Sequence, residues 1–205
     1  MARTADHQQR RRQMVDAALR IATTEGISSV TVARVASQAG VSVGLVQHYF
    51  PTKRELITAA YVEVLRRTDD RIADLVQDGE RTARPIRVMA QAALALLLPL
   101  DARRRRECAV RQEFAGLAVR DAELRKVAAA NDARSVARLT AVIRNGLVCG
   151  EVPPGVNPER AALELLAVVV GAAELGSRAG APRDAHAAVD EVIARVFSGE
   201  CREHA

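Results

Sequence analysis

Ser42, Val43, Gly44, Gln47 and His48 put a hydroxyl, a small aliphatic, a glycine, an amide and an imidazole within seven residues, none carrying a formal charge. Such groups suit the edges of nucleic-acid bases. Gln47 can pair with adenine N6 and N7, Val43 can touch a thymine methyl, and glycine at 44 lets a helix approach closely. The chemistry of bond-making is missing: no Ser/His/Asp, HExxH or Gly-rich phosphate pattern occurs, and His7, His48, His186 and His204 are scattered. No enzyme, cofactor or metal is expected. Cys108, Cys149 and Cys201 are too few for a disulfide framework and too far apart in sequence for CxxC metal chemistry, which fits a reducing compartment. Cys108 and Cys149 read as buried small hydrophobes, with a thiol-based redox switch as the alternative.

The 205-residue chain is 49% apolar and 27% charged, a globular balance with length enough for a core. Its longest mainly apolar window, Ala161–Ala173, has 13 residues and contains Glu164, too short to cross a bilayer. Met1-Ala2-Arg3-Thr4 has no apolar run of the secretory kind, so a cytoplasmic protein with no membrane partner is expected. Of the formal charge of +5, +4 lies in the first 56 residues, which hold eight basic and four acidic side chains. That concentration fits a face turned to a polyanion. Arg10-Arg11-Arg12 reads either as an arm along a nucleic-acid backbone or as a solvating tail, and Arg103–Arg106 as a solvated helix start.

Helices must position these groups. With no Trp, two Tyr and three Phe, and with Ala, Leu, Val and Arg at helical spacing, the chain is expected to be all-α. The first helix is predicted over Arg10–Glu25, with Val15, Ala18, Leu19 and Ala22 on one face and Gly26 as its stop. Thr31 caps a short helix Val32–Gln38, Ala39-Gly40-Val41 makes a turn, and Ser42 caps a second short helix to Tyr49. Phe50-Pro51 ends it, and the capping-box spacing of Thr52 and Glu55 opens a long helix to about Val76. Helix, three-residue turn, helix is helix-turn-helix anatomy, whose second helix lies in a major groove. Later helices are predicted from Pro85 to Pro99, around Val110, Phe114 and Leu117, over Asp121–Val148, over Pro158–Gly176 and over Asp184–Phe197. Pro158–Gly176 is apolar nearly all round and must be buried on two sides, which argues for self-association across a two-fold axis.

The stretch Thr31-Val32-Ala33-Arg34-Val35-Ala36-Ser37-Gln38-Ala39-Gly40-Val41-Ser42-Val43-Gly44, followed by His48-Tyr49-Phe50-Pro51-Thr52-Lys53-Arg54-Glu55-Leu56, resembles the signature of TetR-type transcriptional repressors. The likeness covers roughly residues 10–60. Phe114 with its flanks and the turn Gly150-Glu151-Val152-Pro153 are similar to the BetI-type branch. The chain departs from many members at Gln47, where they carry an aromatic.

The resemblance implies a three-helix DNA-binding domain over residues 1–56 and a helical ligand-binding and dimerisation domain over 57–205. It implies a homodimeric repressor on palindromic double-stranded operator DNA, released when a small-molecule effector swings the long Thr52 helix. By the same resemblance Thr31, Tyr49 and Lys53 grip phosphates and position the domain, while Val43, Gly44, Gln47 and His48 read sequence, with Ser42 exposed beside them as a further DNA-binding candidate. Dimer contacts fall on the last two helices, at Leu163, Leu166, Val169, Val170, Val189, Val192, Ile193 and Val196. Met89, Leu94, Leu97, Val110, Arg111, Phe114 and Leu139 are the expected effector-pocket residues. Their aliphatic character favours an aliphatic effector over a quaternary ammonium, which needs aromatic faces.

Overall fold

A computed structural model of the chain describes residues 2–179 and 182–202; His204 lies outside them. Among the described residues there are nine α-helices and no strand. In order they are α1 (Ala2–Glu25), α2 (Val32–Ala39), α3 (Val43–Tyr49), α4 (Lys53–Arg81), α5 (Ile86–Ala95), α6 (Ala102–Ala118), α7 (Ala122–Cys149), α8 (Pro158–Ala179) and α9 (Pro182–Val196), with a 3-10 turn at Ile27–Ser29. The expected all-α class holds. No described helix is long and apolar enough to cross a membrane.

The helices form two compact units, Met1–Arg67 with Ala109–Ala128, and Thr68–Cys108 with Ala129–Ala205. This division differs from the single boundary after residue 56 drawn from the sequence. The cause is apolar burial: Tyr61 and Leu65 on α4 and Val110 and Phe114 on α6 join the same core as α1 to α3. Tyr61 and Phe114 stack there, ring centroids 4.7 Å apart and planes 13° from parallel.

In the first unit α1 turns Met14, Val15, Ala18, Leu19, Ile21 and Ala22 inward at helical spacing, against Val35 of α2, Val46 of α3 and Phe50. Gly40, at φ 66, closes α2, and Val41 N–H then reaches back to the Ala36 carbonyl at 3.0 Å, a Schellman-type stop. Phe50 sits at φ −136, ψ 84, extended as the residue before Pro51 must be, and this stops α3. Thr52 caps α4 as its spacing with Glu55 implies: Glu55 N–H donates to Thr52 Oγ1 at 3.2 Å, while the return bond of a capping box is replaced by one between side chains, the Thr52 hydroxyl donating to Glu55 Oε1 at 3.0 Å.

α1 starts at Ala2, well before Arg10. Arg10-Arg11-Arg12 is therefore neither arm nor tail but part of a helix. No Gly or Pro interrupts residues 2–25, and Arg10 is held to Gln13 Oε1 at 3.3 Å and to Asp6 at 3.9 Å. Such a turn has no apolar face for periodicity to detect.

The second unit is built on α8 packed against α9, with α5 and the C-terminal half of α7. Leu98, Ile143, Leu165, Ile193 and Phe197 are its fully buried large side chains. Asn157 Oδ1 accepts from Arg160 N–H at 2.8 Å, the N-cap before Pro158 that the sequence announces. Glu151, buried in the turn after α7, caps α5 with both carboxylate oxygens, accepting from Ile86 N–H at 2.8 Å and Arg87 N–H at 2.7 Å.

Candidate nucleic-acid interface

Both helices of the helix-turn-helix are started by hydroxyls that accept. Thr31 Oγ1 accepts from Arg34 N–H at 3.3 Å and Ser42 Oγ from Leu45 N–H at 3.1 Å. A hydroxyl has one donor and two acceptor positions, so each exposed cap retains its O–H for an outside acceptor such as a phosphate oxygen.

On α3, Val46 is fully buried and Leu45 half-buried, while Gly44, Gln47 and His48 face solvent and Val43 is 44% exposed. A side chain at Gly44 would meet nothing of the chain within 4 Å, so its absence answers no need of the chain's own packing. It leaves the outer surface of α3 low, as a helix entering a groove requires.

Tyr49 is half-buried between two imidazoles: His7 lies 4.5 Å away at 36°, and His48 5.5 Å away, edge-on. Lys53 is exposed at the first position of α4, with no ion pair among the described residues. From Gly26 to Arg54 the sequence contains no Asp or Glu, while Arg34, Lys53 and Arg54 stand in it. Arg34 is committed locally, to Glu25 at 2.5 Å and the Ser29 carbonyl at 3.4 Å. The head thus presents a carboxylate-free uncharged face flanked by a lysine and a phenol. Such a surface attracts a polyanion without desolvating many charges.

Sequence reasoning missed the contact of His7, in the added turns of α1, and gave Arg11, one turn on, no partner within the fold. His7 meets the Tyr49 ring, and the Arg11 guanidinium lies 5.1 Å from the centroid of the Phe50 ring. The signal was an uninterrupted run of helix formers ahead of Arg10.

The residues expected to line one effector pocket divide between two cores. Val110 and Phe114 are buried in the first unit's core, whereas Leu94 is buried in the second unit's, with Leu97 and Leu139 packed against it. Arg111 is half-buried, and Met89 lies against Gly79 of α4, where a Cβ would stand 2.3 Å from its sulfur. A cleft of about 510 Å³ on the first unit is lined by Asp16, Leu19, Arg20, Thr23, Thr24, Gln38 and Arg67 among others, and includes none of the seven.

The expected dimer residues also divide. Val169, Val189, Val192, Ile193 and Val196 are buried in the chain's own core, because the apolar stripe of α9 is spent against α8. Those five are corrected to core. Leu166 is half-buried, and Leu163 and Val170, two turns apart on one face of α8, remain outward, 60% and 59% exposed; Leu175, 65% exposed, stands on another side of the helix.

Cys108 is buried and its thiol donates to the Leu97 carbonyl at 3.1 Å. Cys149 is buried, and that burial pushes its thiol pKa up; the Cys201 thiol and the Glu151 carboxylate add to the rise against a backbone hydrogen bond at Glu151. Neither is an exposed thiolate, so the redox reading of this pair finds no support. Distant in sequence, the donor atoms of Cys149, Glu151 and Cys201 nevertheless lie within 4.8 Å of one another.

Two capped helices about a glycine turn, with an uncharged outer face on the second beside Tyr49 and Lys53, make a helix-turn-helix of the DNA-binding kind. Residues 14–60 match the profile of bacterial regulatory proteins of the tetR family, and residues 86–198, more than half of the chain, match that of the BetI-type transcriptional repressor C-terminal region. The chain belongs to the TetR family of transcriptional regulators, in its BetI-type branch.

The chain is 35% identical over 81 residues to the HTH-type transcriptional regulator BetI of Cronobacter sakazakii, 40% of each chain. It is 35% identical over 75 residues to PksA of Bacillus subtilis, 37% of each, and 47% identical over 57 residues to BetI of Brucella anthropi, 28% of this chain and 29% of that one. The matched segments therefore span about 40% or less of these relatives' own length. Among solved structures, a transcriptional regulator from Rhodococcus sp. Rha1 superposes with a TM-score of 0.76 at 28% identity, covering 92% of this chain and 96% of that one. A transcriptional regulator from Saccharomonospora viridis in complex with choline superposes at 0.78 over 94% and 99%, and its 20% identity shows the fold alone.

Proposed function

We propose that the chain is a cytoplasmic homodimeric repressor with no catalytic activity, which binds palindromic operator DNA and is released by a small molecule. The observation that carries the DNA-binding reading is the carboxylate-free outer face of α3 beside Tyr49 and Lys53. In this reading Val43, Gly44, Gln47 and His48 meet base edges, while Thr31, Ser42, Tyr49 and Lys53 hold the backbone on either side. Self-association is supported by Leu163 and Val170, large apolar side chains left outward on one face of α8. Two heads joined through α8 and α9 read half-sites about one helical turn apart.

Release requires an effector that prefers a DNA-incompetent spacing of the heads to the competent one. α4 is the element suited to carry that change, because it belongs to the first unit up to Arg67 and to the second from Thr68 onward. The effector is aliphatic in this reading. Of the five aromatic residues, four lie in the first unit, and the second holds only Phe197, which is fully buried. A cage for a quaternary ammonium needs several exposed ring faces.

Selection from random duplexes tests the core of this proposal. The expected product is a two-fold symmetric site, and adding an aliphatic metabolite then lowers its occupancy. Recovery of no preferred sequence, or of a single asymmetric half-site, would refute the dimeric repressor.

A further inference from the structure

Where α7 ends, three metal-ligating side chains converge: Cys149, Glu151 and Cys201, with all donor atoms within 4.8 Å of one another. Cys149 and Glu151 are buried and Cys201 is half-exposed, so the cluster has one open side. The backbone fixes the arrangement. Gly199 N–H donates to the Glu151 carbonyl at 2.9 Å and Arg202 N–H to the Cys149 carbonyl at 2.8 Å. A Cβ at Gly199 would stand 2.1 Å from the Gly150 carbonyl oxygen, so the C-terminal segment lies on the turn with no room for a side chain between. Glu151 is held as well, by the Ile86 and Arg87 N–H groups on its two oxygens. Ligating carboxylates are commonly oriented by such outer hydrogen bonds, and each oxygen keeps a further lone pair for an ion.

We propose that Cys149, Glu151 and Cys201 form a binding site for a thiophilic divalent cation of the zinc class, which clasps the C-terminal segment to the end of α7 and the start of α5. Two sulfurs, one carboxylate and an open fourth position are a donor set for tetrahedral zinc, whereas calcium and magnesium demand oxygen ligands throughout. With Zn–S near 2.3 Å and Zn–O near 2.0 Å, tetrahedral ligands stand roughly 3.8 Å apart for two sulfurs and roughly 3.5 Å for sulfur and oxygen. Cys149 Sγ is already 3.8 Å from Glu151 Oε1. Binding displaces the two thiol protons to solvent, leaving two thiolates, one carboxylate and one dication with a single net negative charge. Arg202, whose side chain packs on Gly150 at the same corner, is placed to offset it.

The full-length reduced protein, stripped of metal, is titrated with cobalt(II), which reports thiolate ligation by a near-ultraviolet charge-transfer band. The band is expected to saturate at one cobalt per chain and to be displaced by zinc. Cys108→Ser keeps it, since Cys108 is not in the cluster. Cys201→Ser abolishes it and weakens zinc binding by roughly a hundredfold or more, as loss of even an outer partner costs 10–100-fold. Because Cys201 is half-exposed, circular dichroism of that variant is expected to match the parent. Absence of the band in the parent, or its persistence in Cys201→Ser, overturns the site. So does a Cys149–Cys201 disulfide accompanied by no cobalt binding after reduction.

Discussion

Phe114 separates two accounts of the chain, pocket wall or core, and truncating it tells them apart. The ring is fully buried and lies face to face with Tyr61, centroids 4.7 Å apart, among residues of α1, α4 and α6. Replacing a buried Phe by Ala costs about 3–5 kcal/mol, transfer and cavity together, and a stacked aromatic pair contributes about 0.5–1.5 kcal/mol. A loss of about 4 kcal/mol is the central expectation for Phe114→Ala. For a chain of this length each kcal/mol lowers Tm by about 2–4 °C, so a fall of about 8–16 °C is expected. Phe114→Leu refills much of the volume and forfeits chiefly the stack, with a fall of about 2–5 °C. Thermal unfolding followed by circular dichroism measures both. A fall below about 3 °C for Phe114→Ala would refute the core assignment and restore Phe114 to the replaceable wall of a cavity.

Lys53→Ala is expected to weaken binding to operator and random duplexes alike and to reduce the salt slope by about one unit; an unaltered slope removes Lys53 from the phosphate contacts. Val170→Arg places a charge on the outward face of α8 and is expected to give folded monomers with poor operator affinity, whereas Ile193→Arg buries an unpaired charge and is expected to destabilise the fold by about 3–5 kcal/mol. Light scattering and thermal melts check the pair, and a normal dimer from Val170→Arg excludes that face. The Glu63 carboxyl is held at about 2, against an ordinary 4.5, by hydrogen bonds from Arg66 first and then Arg67, with burial opposing. Its contribution to stability is therefore present above pH 4.5 and lost as pH falls through about 2. The Tm gap between the parent and Glu63→Gln is expected to hold steady above that range and close within it; a gap unchanged at the acid end contradicts the assignment.

What was legible in the sequence was local. The caps at Thr31, Ser42 and Thr52, the Gly40 turn and the stop at Phe50-Pro51 each depend on groups a few residues apart, and all take the geometry their spacing implies. The order of helices followed from the same signals. The added turns of α1 escaped because their residues are polar all round and carry no periodic apolar face. The pairing of Cys149 with Cys201 escaped for the opposite reason: sequence distance says nothing about what a closing chain brings together.

Val169 and Val170 show where periodicity alone stops. They are adjacent and chemically identical, yet one is 1% exposed and the other 59%. A helix apolar all round must be covered twice, but the sequence does not say which cover lies inside the same chain. Here α9 supplies the first, taking Val169 and spending its own stripe of Val189, Val192, Ile193 and Val196 in doing so. What α9 leaves bare on that side of α8 is Leu163 and Val170, and α9 itself carries exposed Ala187, Ala188 and Ala194. In the proposed dimer these outward side chains are the ones left to meet a second copy, as an isologous contact between helix pairs uses the same face of each.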